Sequence, residues 1–145
     1  TVGAVARQVI ESVQSTLFET DIRVDFAILG DEVRIGSRDA TVLALVINEL
    51  VDNALTHGLA VEGGRIEVEA VLEHGQVLVE LRDDGPRHPP PPSRHSSGLG
   101  LQIIETLVNS DLNGSFSLIR DEEAGWMRAR IRFPQRIIDD DRIEV

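Results

Sequence analysis

The chain has 145 residues, 41% of them hydrophobic, and no cysteine, so it is long enough to form one folded domain without disulfide bonds. Its formal charge of −11 argues against nucleic acid and anionic membrane surfaces as partners, because both require a basic protein face. No apolar stretch approaches the roughly 20 residues that span a bilayer, and the absence of cysteine fits a reducing compartment, so we expect a cytoplasmic domain without membrane contact.

The first predicted elements are a helix and two strands. Apolar residues recur at helical spacing over 2–17, and the chain starts within this pattern without a methionine, which indicates a fragment of a longer protein. Alternating apolar and polar residues predict a strand over 22–28, and a short strand follows over 33–35.

The longest predicted helix covers residues 39–57 and ends at Gly58, with Ser37 or Asp39 before it. At about 100° per residue its apolar side chains fall on one half and its polar side chains on the other. A solvated helix face would show the same division. However, such faces are typically filled with Glu, Lys and Arg, whereas asparagine lowers helix propensity.

Three residues on the polar half follow each other at i, i+4. Glu49, Asn53 and His57 place a carboxylate, an amide and an imidazole in one stripe, which suits a metal or phosphate site. Asn48, Asp52 and Thr56 fill the rest of this half.

Strands and one further helix complete the domain. The pattern predicts a hairpin over 65–81, a long loop over 83–97, a helix over 99–109 and a second hairpin over 114–133. This order predicts an α+β two-layer sandwich, with three helices on one face of a mixed, mostly antiparallel sheet. The other sheet face is expected to be less completely covered, and residues 137–145 to form an acidic tail.

An acidic pair and a glycine follow the third strand. Asp83, Asp84 and Gly85 are typical of a tight turn, which is one interpretation. In the other, Asp83 accepts a hydrogen bond from an exocyclic amine, and Gly85 lets the backbone approach a flat ring.

Glycines also begin the last predicted helix. The amides around Gly98 and Gly100 would be free at a helix N-terminus, where they form an anion site. The segment is also typical of an ordinary turn into a helix with Ser96 or Ser97 as N-cap.

In this order, the motifs resemble those of the Bergerat-fold ATPases, which include gyrase, the heat-shock chaperone, sensor histidine kinases and the mismatch-repair protein. Residues 48–54 resemble the N box of that superfamily, residues 83–85 its first glycine box and residues 98–101 its second. The resemblance extends over about residues 5–134, and the short lid and the form of the N box are most similar to sensor histidine kinases.

The resemblance implies a role for each matching residue. Glu49 would act on the attacking group near the γ-phosphate, and Asn53 would hold Mg²⁺ through its side-chain oxygen. Asp83 would bind the adenine amino group, with Gly85 against the base. The phosphates would be held by amides around the second glycine box, and further pocket residues are Asn48, Thr56, His57, Arg87, Gly98, Leu99 and Gly100.

The sequence departs from the family pattern at four places. Thr56 stands where a Lys or Arg is usual, Arg87 replaces a glycine, and Trp126 with Met127 replaces a Gly-Thr pair that helps to bind adenine. The phenylalanine-containing box of longer lids is missing. All 14 basic residues are arginine, so phosphate charge would be met by Arg82, Arg87, Arg94 or His57.

Histidines and prolines outside these motifs have weaker functional interpretations. His74 and His88 lie in turn or lid segments without the helical context of a phosphorylated histidine, whereas His95 could touch phosphate when the lid closes. Pro89 to Pro92 favour polyproline II, as part of the lid or as a ligand of a proline-binding domain.

The resemblance implies the ATP- and Mg²⁺-dependent catalytic domain of a two-component sensor histidine kinase, over residues 1–136. Residues 1–17 would connect it to a dimerisation domain that carries the acceptor histidine, and a response regulator would be the further partner of a full-length homodimer. Two alternatives stay open: a serine kinase of the anti-sigma-factor type, and a degenerate module that serves as an interaction surface.

Overall fold

The computed structural model describes residues 1–20, 22–30, 32–57, 63–85, 94–121, 123 and 125–136, with backbone only at residues 57 and 94–99. Expectations for Gly58, Arg87, His88, Pro89 to Pro92 and the tail 137–145 therefore lie outside the described residues. Among the helices described, none is long and apolar enough to cross a membrane.

Three α-helices form one layer of the domain. They are α1 (Val2–Leu17), α2 (Ser37–His57) and α3 (Arg94–Thr106), and a π-helical segment, Leu107–Asp111, continues α3. Thr1 caps α1, because its hydroxyl oxygen accepts a hydrogen bond from the amide of Ala4 at 3.1 Å.

The other layer is a mixed sheet with five strands in the order β1-β2-β3-β5-β4. The pair β1–β2 is parallel and the remaining pairs are antiparallel. The strands are β1 (Val24–Gly30), β2 (Gly64–Glu73), β3 (Gln76–Asp83), β4 (Ser115–Asp121) and β5 (Trp126–Pro134). This confirms the predicted fold class and both hairpins, and His74 lies in the β2–β3 turn with a positive φ.

The core lies between the helices and one sheet face. Alternate residues of the central strands point into it, including Ile66, Val79 and Ile131. The apolar half of α2 lies over them, as the periodicity predicts, with Val46, Ile47, Leu50, Val51 and Ala54 buried. Charged side chains, including Glu67, Glu80, Arg82 and Arg128, lie on the opposite face of the sheet.

The predicted strand over 33–35 is wrong. Residues 32–36 form an irregular link, in which the Val33 carbonyl accepts a hydrogen bond from the amide of Val2 at 2.8 Å. Val33 is buried in the core. Its apolar character therefore reflects packing against the start of α1 and not sheet pairing.

The start of α3 also differs from the prediction. The helix begins at Arg94 instead of residue 99, so Ser96, Ser97 and Gly98 lie within it. Serine and glycine have low helix propensity and usually lie at helix ends, which explains the later predicted start. No proline lies between Pro92 and the end of α3, so no ring interrupts the helix that begins at residue 94.

Candidate functional site

The polar half of α2 divides into two stripes in the structure. Asn48, Asp52 and Thr56 are exposed, whereas Glu49 and Asn53 are half-buried. Residues four positions apart lie above one another on a helix, which is why Glu49 and Asn53 share one environment while Asn48, Asp52 and Thr56 share another. Only the stripe that contains Glu49 and Asn53 faces the rest of the domain.

Gly100 is the point at which α3 approaches this half-buried stripe. A β-carbon added to Gly100 would lie 3.2 Å from Oε2 of Glu49 and 3.6 Å from Oδ1 of Asn53. Gly100 is itself buried. The missing side chain therefore lets the α3 backbone come directly over the carboxylate and the amide.

Asp83 ends β3 on the helix-facing side of the sheet. Its side chain is 4% exposed, which is unusual for a carboxylate and marks it as a candidate recognition group. Oδ1 of Asp83 accepts a hydrogen bond from the amide of Gly85 at 3.3 Å, so the turn after β3 orients the carboxylate. The first motif lies on α2, and α2 packs against both β3 and α3, which carry the other two motifs.

Two further residues, Met127 and Asp84, lie next to Asp83 at this end of the sheet. Met127 on β5 stands directly opposite Asp83 in the register, where it offers a thioether and no hydroxyl. Asp84 contacts Arg65 twice: its amide donates to the Arg65 carbonyl at 3.2 Å, and its carboxylate accepts from the Arg65 amide at 2.7 Å. Sequence reasoning assigned no role to Asp84 beyond the motif, and its link to Arg65 becomes visible only with the strand register.

Arg82 does not belong to this site. It alternates with Asp83 along β3 and lies on the opposite sheet face, bonded to Glu67, Glu69 and Glu80 at 2.8 to 2.9 Å. This corrects the expectation that Arg82 meets phosphate charge. Burial of Arg82 lowers its pKa, but the hydrogen bonds that it donates to these three carboxylates outweigh this effect and raise its pKa.

The structure brings together only part of the predicted site. Glu49, Asn53 and Gly100 converge, and Asp83 with Gly85 lies at the adjoining strand end. Asn48 and Thr56 lie on the exposed stripe and do not join this contact. Arg87 lies outside the described residues, and for His57, Arg94, His95, Gly98 and Leu99 only the backbone is described. The amides of Gly98 and Gly100 lie within α3 and not before it.

This fold and the chain order of its motifs define the class of Bergerat-type α+β ATPase domains. Residues 38–137 match the family described as histidine kinase-, DNA gyrase B- and HSP90-like ATPases. The chain belongs to this family, which confirms the resemblance found in the sequence.

Two curated relatives indicate where in the family the chain lies. It is 37% identical over 100 residues to the sensor histidine kinase PdtaS of Mycobacterium tuberculosis, covering 67% of this chain and 20% of PdtaS. It is 24% identical over 103 residues to the anti-sigma F factor of Clostridium acetobutylicum, covering 63% of this chain and 72% of that protein. The chain thus spans about a fifth of the length of PdtaS.

Solved structures of histidine kinases share the fold. The catalytic domain of ThkA aligns with a TM-score of 0.72 at 21% identity, covering 91% of this chain and 92% of that one. The blue-light-activated histidine kinase of Erythrobacter litoralis aligns with a TM-score of 0.74 at 20% identity, covering 92% of this chain and 42% of that one. The mycobacterial kinase MprB aligns at 0.69 and 21% identity, covering 93% of this chain and 95% of that one.

Proposed function

We propose that this domain binds MgATP between α2, α3 and the end of β3, and transfers the γ-phosphoryl group to a histidine on a separate domain. The observation that carries the proposal is the approach of Gly100 to Glu49 and Asn53, with the buried Asp83 at the adjoining strand end. The Glu49 carboxylate and the Asn53 amide, whose oxygens are hard ligands, lie beside the Gly100 backbone. Because glycine has no side chain, nothing at that position would exclude phosphate.

Each residue of this cluster has a role in the proposal. Asp83 accepts the hydrogen bond of the adenine amino group, and because it is buried, little water competes for that bond. Glu49 polarises the attacking imidazole. The bond from that nitrogen to the γ-phosphorus forms as the bond to the bridging oxygen breaks, and ADP leaves.

The donors fit a magnesium ion shared with the nucleotide. The side-chain oxygen of Asn53 is a hard ligand, and Mg²⁺ in phosphoryl-transfer sites typically takes one or two protein ligands and completes its shell with phosphate oxygens and water. Bound there, the ion would neutralise phosphate charge, which matters in a chain of formal charge −11.

The partners follow from the kind of kinase. We propose that the acceptor histidine lies on an upstream dimerisation domain, that the full-length protein is a homodimer, and that a response regulator receives the phosphoryl group. The resemblance to PdtaS supports this proposal, and ThkA has been solved in complex with the response regulator TrrA.

Equilibrium titration with MgATP tests nucleotide binding. Asp83→Asn should raise the Kd at least about 10-fold, because hydrogen bonds to a charged group contribute about 1.5–3 kcal/mol. Asp25→Asn makes the same change at an exposed position on β1, on the other sheet face, and should leave the Kd unchanged. No affinity in the wild-type domain would contradict the proposal and favour the interaction module.

Transfer of radiolabelled phosphate to an added dimerisation domain tests the reaction. Glu49→Gln should lower the transfer rate about 100-fold, within the range of general acid–base effects, while MgATP still binds. The matched control is Glu105→Gln, an exposed residue of α3. Equal rates for Glu49→Gln and the wild-type domain would exclude the role of Glu49.

One observation favours a serine kinase of the anti-sigma-factor type as second candidate. The anti-sigma F factor matches over 72% of its own length, although at lower identity than PdtaS. Acid stability separates the candidates, because phosphohistidine is lost in acid and phosphoserine is retained.

A further inference from the structure

The chain leaves β3 through an unusual pair of hydrogen bonds between Asp84 and Arg65. Glu67 and Arg82 are cross-strand partners, and Arg65 and Asp84 stand two positions further along the same register. In an antiparallel ladder every second pair exchanges two backbone hydrogen bonds. Here the Asp84 amide donates to the Arg65 carbonyl, but the Arg65 amide donates to the Asp84 side chain at 2.7 Å.

The side chain of Asp84 thus takes the place of its own carbonyl oxygen. Both backbone groups of Arg65 remain bonded, while the carbonyl of Asp84 is released from the ladder and the chain can turn toward Gly85. This turn begins one residue after Asp83 and contains the amide that orients the Asp83 carboxylate.

We infer that Asp84 is a positioning residue for nucleotide recognition: its carboxylate fixes the turn that holds Asp83 in place for the base. The inference rests on the proposed function, because it assigns Asp83 the adenine amino group. Asp84 is exposed, and its carboxylate is bonded to the Arg65 amide, so we infer that its effect passes through the backbone.

Three substitutions separate the hydrogen bond from the charge. Asp84→Ala removes the acceptor, and Asp84→Asn keeps an oxygen at the same place but removes the charge. Asp84→Glu keeps the charge and displaces the acceptor by one methylene. If the hydrogen bond of Asp84 is what positions Asp83, the Asn variant should bind nucleotides like the wild type. The Ala and Glu variants should then show the same loss of nucleotide selectivity.

The readout is base selectivity, which a loss of stability alone would not move. We would titrate each variant with MgATP and with the triphosphate of purine riboside, which lacks the amino group. Asp84→Ala should raise the Kd for ATP about 10-fold and the Kd for the analogue less than twofold, so the selectivity for ATP falls. Asp84→Asn should retain it. If the Ala variant does not fold, the Glu variant gives the same comparison.

Asp83→Asn in the same assay distinguishes the two possible failures. If Asp83→Asn loses selectivity while Asp84→Ala and Asp84→Glu keep it, the inference is overturned and the proposed function stands. The inference is likewise overturned, and the proposed function stands, if the Asp84 variants raise the Kd for both nucleotides by the same factor. If the wild-type domain does not discriminate between the nucleotides, the adenine role of Asp83 fails, and the inference fails with it.

Discussion

Gly100 lies so close to Glu49 that a single added carbon would be 3.2 Å from the carboxylate oxygen. This is tighter than ordinary van der Waals contact, and the nearest Asn53 atoms would lie at 3.6 and 3.7 Å. The absence of a side chain at Gly100 therefore makes room for the Glu49 carboxylate in its present position, whereas an added carbon would be in ordinary contact with Asn53. A change at Gly100 should therefore affect both the packing of α3 on α2 and the proposed nucleotide site.

Gly100→Ala should separate stability from function. Alanine in a helix is favoured over glycine by about 1 kcal/mol, so the free energy of unfolding should stay within about 1 kcal/mol of wild type. The added methyl group would fill space beside the Gly100 backbone that the proposed phosphate position needs, so the Kd for MgATP should rise about 10-fold. Calorimetry and titration measure the two effects.

Gly3→Ala is the matched control for this change. It makes the same substitution in α1, where the added carbon would meet Ile28 at an ordinary 3.7 Å. It should stabilise the domain and leave the Kd unchanged. Equal Kd values for Gly100→Ala and Gly3→Ala would mean that the α2–α3 contact does not govern binding.

Thr56→Lys should strengthen MgATP binding about three- to fivefold at low salt. Thr56 is exposed on α2, one turn beyond Asp52, and a cation there would attract phosphate in an otherwise acidic chain. The gain should shrink as salt rises, because screening weakens exposed charges. Thr41→Lys, at another exposed position of α2, changes the net charge equally, and a similar gain there would show that the effect is not local to Thr56.

The sequence predicts the two halves of α2 but not the division of the polar half. Helical periodicity is enough to place Glu49 on the polar half and Leu50 on the apolar half, because this assignment requires only the direction of the core relative to the helix axis. Which polar stripe is half-buried depends on where α3 crosses, and that is determined by the close approach at Gly100. Contacts between distant segments leave no periodic signal in either segment.

The prediction that Arg82 meets phosphate charge was wrong for a different reason. Its position next to Asp83 suggests a shared site when motifs are compared by proximity along the chain. In a strand, however, adjacent side chains point to opposite faces, so a buried Asp83 requires Arg82 on the other face. The signal was present in the alternation of β3, whereas the three carboxylates around Arg82 depend on the sheet register.

Met127→Thr should tighten MgATP binding about threefold. Met127 is half-buried opposite Asp83, and a hydroxyl there would add a polar group beside the proposed adenine position. The analogue that lacks the amino group should gain less than ATP. Met127→Leu, which keeps an apolar side chain of similar size, should not tighten binding. If Met127→Leu increases the affinity for MgATP as much as Met127→Thr does, the increase comes from altered packing and not from the hydroxyl.

Glu80→Gln should destabilise the domain in a pH-dependent way. Glu80 is the common partner of Arg82, Arg128 and Arg130 on the outer sheet face. Burial opposes its ionisation, but hydrogen bonds from Arg130 and Arg82 outweigh this effect, so the pKa of Glu80 lies below its usual value. At pH 7 the substitution should cost about 1–3 kcal/mol, because Arg82 and Arg128, which are partly buried, lose a charged acceptor.

The sign of the pH effect follows from this lowered pKa. A carboxylate whose pKa is lower in the folded state contributes stability above its unfolded pKa of about 4.3, and that contribution is lost as the pH falls through the folded value. The difference between wild type and Glu80→Gln should therefore narrow in urea unfolding between pH 5 and pH 3. Glu73→Gln, an exposed residue at the end of β2, should show little difference at either pH. A constant gap between wild type and Glu80→Gln would mean that the ionised form of Glu80 adds no stability.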